Sequence, residues 1–171
     1  VQKSDMKLQT KIGTDSDAQE IQTLRSRIQE LEAKDEEAIY YRNLLQNLLD
    51  NVPDSIYFKD VKSKFILINR AQVYNLGVKS FEDAVGKSDF DYFILDHAKD
   101  AFNDEQKIIK TGNSLIDKAE KIRRANGEIR WVSTTKAPLY SHDKKIIGIL
   151  GISRDITEKQ KSLERLRESE E

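Results

Sequence analysis

The sequence predicts an α+β domain, a five-stranded antiparallel sheet with helices on one face, flanked by a helix at each end of the chain. Two observations support the domain: the order of segments (strand, strand, small helices, one longer helix, three strands) and the turn signals between them. A third observation supports the flanking helices, because apolar residues at heptad spacing precede the strands and a charged helical pattern follows them.

The spacing of apolar residues in the first part of the chain predicts a coiled coil. Residues 1–15 are weakly patterned and are predicted to be weakly structured, and a helix is predicted over 16–50. Its apolar residues fall at a and d positions that are typical of a parallel dimer. This seam is Ile21, Leu24, Ile28, Leu31, Leu45 and Leu48. The alternative is an amphipathic helix that folds back on the same chain.

The domain is predicted over 51–157. Strands at 55–58 and 65–68 form a hairpin, because β-favouring residues flank a polar turn. Asn69 can cap the short helix that follows, and a further helical turn is predicted over 81–86. A longer helix is predicted over 96–110.

Three strands complete the predicted sheet, over 115–123, 129–139 and 146–152. The first two are joined at 124–127 by Arg-Ala-Asn-Gly, which carries a strong hairpin signal. The sheet then passes into a charged helix over 158–171, predicted to be a signalling or linker helix. Because this helix has no stop signal, we expect the natural protein to continue.

The junction between the last strand and this helix is a candidate functional element. Asp155 can accept hydrogen bonds from amides two or three residues further on, and Glu158 lies at capping-box spacing from it. An ordinary hairpin followed by a capped helix has the same pattern.

Composition limits the possible functions. The net charge of -1 gives no general field for nucleic acid. The absence of cysteine excludes disulfides and cysteine-based flavin photochemistry. No apolar run reaches the about 18 residues of a membrane span, so we expect a cytoplasmic domain, and a membrane anchor elsewhere in the parent protein stays open.

Catalytic motifs are lacking, and we expect a binding module that is not an enzyme and has no catalytic or metal-binding residues. His97 lies near the start of the longer helix, where a haem ligand is an alternative to an ordinary surface histidine. Asp89, Asp91, Asp96 and Asp100 form an acidic cluster that favours helix caps over a cation site. No cofactor is predicted.

Several motifs together resemble the PAS domain of bacterial sensor proteins over 48–157. They are NVPDSIYFKD at 51–60, FILINRA at 65–71, GKSDFDYF at 86–93, DEQKIIKTG at 104–112, GEIRWVSTTKAPL at 127–139 and GISRDIT at 151–157. The resemblance implies a sensory module from a multi-domain signalling protein such as a histidine kinase or a diguanylate cyclase. The ending LRESEE at 166–171 resembles a linker into another PAS domain.

A PAS fold implies a ligand cavity between the sheet and the helices. Alternation along the strands, together with one position on the longer helix, predicts which residues line this cavity. They are Tyr57, Phe58, Leu67, Phe102, Trp131, Ser133 and Thr135. The resemblance also places the family's Asp-Ile-Thr motif at the junction, so a signal relay is expected through Arg154, Asp155, Ile156 and Thr157.

The resulting expectation is a dimeric module that binds an unknown small ligand or partner and relays its state to the output helix. Its other partners would be neighbouring PAS or output domains, and not nucleic acid. The alternative is a ligand-free PAS spacer that only dimerises. A haem sensor that uses His97 is disfavoured.

Overall fold

The computed structural model describes the backbone of residues 2–123 and 127–170, and the side chains of 16–123 and 127–168. Most of the turn predicted over 124–127 lies outside the described residues. The chain divides into two compact units, Val1–Asn47 and Leu48–Glu171.

Helix α1 extends over Gln2–Asn51. The prediction for 1–15 therefore needs correction over residues 2–15, which lie within helix α1. The segment contains no proline, and the glycine at 13 costs a helix only about 1 kcal/mol relative to alanine. The predicted seam residues within α1 are about half exposed in the single chain, for example Ile28 at 53% and Leu31 at 50%.

The second unit contains a five-stranded antiparallel sheet in the order β2-β1-β5-β4-β3, which confirms the predicted α+β fold. The strands are β1 Ser55–Asp60, β2 Phe65–Ile68, β3 Leu115–Arg123, β4 Ile129–Tyr140 and β5 Ile146–Asp155. The helices are α2 Arg70–Leu76, α3 Leu95–Thr111 and α4 Thr157–Glu170, with a short 3-10 helix at Asp89–Asp91. The helical turn predicted over 81–86 is a non-helical turn.

The strand register fixes which side chains face the helices. Tyr57 of β1 lies opposite Gly151 of β5, and Ser55 lies opposite Ser153. A Cβ atom at Gly151 would collide with the ring of Tyr57, so the absent side chain makes room for this ring. The core on this face is built around the buried residues Tyr57, Phe65, Ile68, Ala84, Ile108 and Ile149.

Asn69 joins helix α2 to the sheet. Its side-chain oxygen accepts from the amide of Gln72 at 3.0 Å, which caps α2 as predicted. The same oxygen accepts from the amide of Ile56 at 2.9 Å. One buried side chain therefore fixes the start of α2 against strand β1, and this places the helix over one face of the sheet.

Candidate ligand cavity and helix junction

A cavity of about 220 Å³ lies between the sheet and the helices, within the second unit. Its wall combines side chains from β1, β3, β4 and β5 with side chains from α2, the 3-10 helix and α3. The polar residues of the wall are Ser55, Tyr57, Gln72, Tyr74, Asn75, Asp89, His97, Glu120, Arg130, Thr134, Lys136, Ser153 and Asp155. Such convergent polar groups in a concave site are typical of small-molecule binding.

The predicted lining differs from the one in the structure. Of the seven predicted residues, Tyr57 lies in the cavity wall. Strand β4 lines the cavity with Arg130, Val132, Thr134 and Lys136, which is the face opposite to the predicted one. The other predicted residues, which do not line it, are Phe58, Leu67, Phe102, Trp131, Ser133 and Thr135.

The prediction chose the wrong face because both faces of the sheet carry apolar residues. Ile56 and Phe58 point away from the cavity, yet Ile56 is only 7% exposed. The cavity face of β1 instead carries Ser55, Tyr57 and Lys59, which resembles a solvent-facing pattern. The sequence of β4 does not mark this face, because Val132, Thr134 and Lys136 mix apolar and polar residues as Trp131, Ser133 and Thr135 do on the opposite face.

A buried cluster of ion pairs lies at one end of the cavity. Lys59 Nζ contacts Asp89 Oδ2 at 2.6 Å and Glu105 Oε1 at 2.8 Å. Lys136 Nζ contacts the same Glu105 oxygen at 3.1 Å and donates to the carbonyl oxygen of Ala101 at 3.3 Å. Glu105 is completely buried, and sequence reasoning did not identify it. The cluster links α3 and the 3-10 helix to strands β1 and β4.

The electrostatics of the cluster keep Lys59 charged. Burial acts to lower the pKa of this lysine, but attraction to Asp89 and Glu105 outweighs burial and raises the pKa above its ordinary value. Burial also raises the pKa of the neighbouring Tyr57, whose hydroxyl stays protonated. Near neutral pH, the cavity thus presents Tyr57 as a neutral hydrogen-bonding group.

His97 lies in the cavity wall on the first turns of α3. Its ring stands edge-on to Phe93, with ring centroids 5.0 Å apart. Burial lowers the pKa of His97, partly opposed by attraction to Glu120 and Asp89 and assisted by Lys136 and Lys59. The imidazole is therefore neutral at pH 7. Its place in the wall differs from the surface position expected of an ordinary histidine.

The acidic cluster divides between two local roles. Asp89 belongs to the buried ion pairs, whereas Asp91 Oδ2 accepts from the Ser88 amide at 2.8 Å at the start of the 3-10 helix. Asp96 lies in the first turn of α3. Among the described residues, no group of three or more histidine or acidic side chains is arranged to hold a metal ion.

The junction between β5 and α4 is held against strand β4. Asp155 Oδ1 accepts from the Thr157 amide at 2.9 Å, which caps the start of α4. Trp131 donates its amide to the Thr157 hydroxyl at 3.0 Å and accepts from the Ile156 amide at 2.9 Å. Glu158, at capping-box spacing, pairs with Lys161 at 3.0 Å.

An ion pair joins this junction to the cavity. Asp155 Oδ2 contacts Arg130 Nη1 at 2.7 Å, and both residues lie in the cavity wall. Burial acts to raise the pKa of Asp155, but the hydrogen bonds from Thr157 and Arg130 outweigh it and lower the pKa. Next to it, Arg154 forms a two-pronged pair with Asp54, whose closest contact is 2.8 Å.

Comparison with known proteins settles the family. The family described as PAS fold matches residues 49–161, well over half of the chain. The chain belongs to the PAS fold family. A PAS domain is itself non-catalytic, and its relatives are signalling proteins, so the predicted sensor and signal-transduction class is confirmed at this level.

Curated relatives of this PAS domain include two signalling enzymes. A diguanylate cyclase of Vibrio cholerae is 26% identical over 121 residues, 68% of this chain and 36% of that protein. The methanogenesis regulatory histidine kinase FilI of Methanothrix harundinacea is 24% identical over 145 residues, 81% of this chain and 16% of that protein. The chain thus spans about a third of the first relative's length and less of the second.

Among solved structures, this PAS domain is similar to VqmA of Vibrio cholerae in a complex with a ligand and DNA. The two are 26% identical with a TM-score of 0.60, and the match covers 65% of this chain and 50% of that one. Within the described part of the chain, no helix has the length and apolar character that crossing a membrane requires.

We expect Glu105→Ala to lower the free energy of unfolding by about 3–5 kcal/mol, because it leaves two buried lysines with too few counter-charges. Urea denaturation measures this loss. The matched control is Asp104→Ala on the same helix, whose partner Lys118 keeps a second contact with Glu120 at 3.0 Å. The control should cost about 1 kcal/mol or less. Equal losses in the two variants would contradict a stabilising buried cluster.

Stability should also depend on the titration of His97. Because its pKa is lower in the folded chain than in the unfolded one, its contribution is complete above the unfolded-state pKa of about 6.5. This contribution is lost as the pH falls through the folded-state pKa. We expect the free energy of unfolding of His97→Gln, measured by urea denaturation at a series of pH values, to decrease less on acidification. Identical pH profiles for the two proteins would show that burial of His97 does not matter.

Proposed function

We propose that this PAS domain binds a small ligand in the cavity and relays the bound state to helix α4. The observation that carries the proposal is that the Arg130–Asp155 ion pair lies in the cavity wall while Asp155 also caps α4. A ligand in the cavity would therefore touch the residues that hold the output helix. The relay comprises Arg154, Asp155, Ile156 and Thr157.

The cavity supports ligand binding over the alternative of a ligand-free spacer. A spacer needs no concave site lined by convergent polar groups. This domain has such a site, and in its wall the hydroxyl oxygens Thr134 Oγ1 and Ser153 Oγ lie 3.1 Å apart. The similar protein VqmA is described with a bound ligand, which supports a ligand for this chain too. A bound cofactor such as haem has no such support, since His97 is placed among charged residues and Phe93.

The relay would act through the hydrogen bonds of Asp155. Its carboxylate receives hydrogen bonds from the Thr157 amide and from Arg130. A ligand that hydrogen-bonds to Arg130 or Asp155 while their ion pair stays formed would change the geometry of the Thr157 contact and the packing of α4 against Trp131. A ligand shifts this equilibrium only by its difference in affinity for the two arrangements. Ligand binding would thus affect helix α4 through the polar contacts of Arg130.

The proposed active form is a parallel homodimer formed through α1. Its seam residues Ile21, Leu24, Ile28 and Leu31 repeat with heptad spacing and are each about half exposed in the single chain. A second copy of the same helix would cover them with identical residues. Helix α4 has a partial heptad of its own, in which Leu163 and Leu166 are 44% and 58% exposed.

The domain would work in the cytoplasm as one module of a longer signalling protein. A histidine kinase or a diguanylate cyclase is the proposed parent, because both kinds of protein contain a related segment. In that setting α4 connects the sensor to a further PAS domain or to the output domain. The organisation proposed is a coiled-coil segment over 16–50 within helix α1, the PAS domain over 51–157 and the signalling helix over 158–171.

Asp155→Ala tests the relay. The loss of a cap costs about 1 kcal/mol, so the Thr157 amide should exchange its hydrogen about fivefold faster in the variant. Asp143→Ala in the exposed β4–β5 turn is the control and should leave this exchange unchanged. In the full-length signalling protein, Asp155→Ala should uncouple output from input, and unchanged signalling would contradict the relay.

Ile28→Lys tests the dimer. In the variant dimer, both copies lose the apolar burial of Ile28, and two positive charges meet in the seam. The dissociation constant of the dimer should therefore rise about 100-fold. Analytical ultracentrifugation measures the dissociation constant. Ser26→Lys on the outer face of the same heptad is the matched control and should remain dimeric. A dimer of unchanged strength in Ile28→Lys would place the interface elsewhere.

A further inference from the structure

The cavity wall contains charged side chains of both signs, and each already contacts an opposite charge of the protein. At one end, Asp89 contacts Lys59 at 2.6 Å and Lys136 contacts Glu105 at 3.1 Å. Lys59 and Glu105 lie behind the wall and are 1% and 0% exposed. These counter-charges therefore cannot move into solvent to make way for a ligand.

The other charges in the wall are also members of ion pairs. Arg130 contacts Asp155 at 2.7 Å and Glu128 at 2.8 Å. Glu120 contacts Lys118 at 3.0 Å. Three carboxylates and two cations of the wall, Asp89, Glu120, Asp155, Arg130 and Lys136, thus face the cavity as members of ion pairs.

Between the charged groups, the wall presents neutral hydrogen-bonding side chains. Tyr57 and Thr134 provide hydroxyl groups, Ser153 provides another, and Gln72 provides an amide. His97 adds a neutral imidazole, because burial lowers its pKa. These groups offer donors and acceptors without a net charge.

Because each charge of the wall is already paired, the charge of a ligand affects its binding. An ion that leaves water for the cavity needs a counter-charge there. If it takes one from an existing pair, it leaves the former partner buried and uncompensated, which is the costly case. An uncharged molecule avoids this cost and still satisfies its polar groups with the hydroxyls, the amide and the imidazole.

We propose that the cavity selects an uncharged polar molecule and discriminates against carboxylates and ammonium or amidinium ions. This inference rests on the proposed ligand-binding function and specifies its ligand class. The volume of about 220 Å³ is below the roughly 300–1,000 Å³ of sites for drug-sized ligands, so the molecule is small.

The test uses three probes of nearly the same shape: benzamide, which is neutral, benzoate, an anion, and benzamidinium, a cation. Their binding to the full chain is followed at pH 7 by chemical-shift changes of the backbone amides, up to about 10 mM probe, a range that detects millimolar dissociation constants. Benzamide should shift the amides of Thr134 and Ser153 and bind about tenfold more tightly than either ion.

A charge variant separates electrostatics from shape. Glu120→Gln removes one negative charge from the wall, while Lys118 keeps Asp104 at 2.5 Å. Benzoate should then bind several-fold more tightly and benzamide should change by less than about twofold. Asp143→Asn in the β4–β5 turn changes the net charge equally but lies outside the cavity, and it should change neither affinity.

The outcomes separate this proposal from the function on which it rests. Tighter binding of benzoate or benzamidinium than of benzamide overturns the selection for an uncharged ligand and leaves ligand binding in the cavity intact. An equal response of benzoate to Glu120→Gln and Asp143→Asn also overturns it. Binding of none of the three probes overturns the proposal and contradicts a small-molecule function of the cavity as well.

Discussion

The buried contacts of Glu105 are the constraint on which the rest of the domain depends. This carboxylate receives Lys59 from β1 and Lys136 from β4, so α3 is held over the sheet by charge as well as by apolar packing. One of its oxygens, Oε2, has no hydrogen-bond partner among the described residues. A cluster that must satisfy several charges at once fixes the distance between helix and sheet, and this leaves the cavity beside it open.

The same cavity reaches the residues that begin the output helix. Arg130 and Asp155 form part of its wall, and the backbone of Trp131 in strand β4 hydrogen-bonds to Ile156 and Thr157. The proposed sensing site and the proposed output helix are therefore adjacent within one domain, and the proposed relay needs no long pathway. A neutral ligand fits this arrangement, because the existing ion pairs hold the junction while the neutral groups are available for binding.

Much of the fold was predictable from local signals. Period-two segments and turn residues placed β3 and the starts of β4 and β5 correctly, and Asn69 marked the cap of α2. The cavity was less predictable, because the choice of strand face rests on contacts distant in sequence. Lys59 and Lys136 look like solvent-facing residues until Glu105, 46 and 31 positions away in the chain, is placed between them. The continuous helix before residue 16 was missed because its weak apolar pattern gives no signal of helix stability.

The proposed form of this PAS domain is a dimer that holds a small molecule in its cavity. Native mass spectrometry of the purified chain, compared with its mass after denaturation, tests this claim most directly. We expect a dimer that carries additional mass, which is released on denaturation and belongs to an uncharged compound. A native mass that is a simple multiple of the denatured chain mass would contradict the claim.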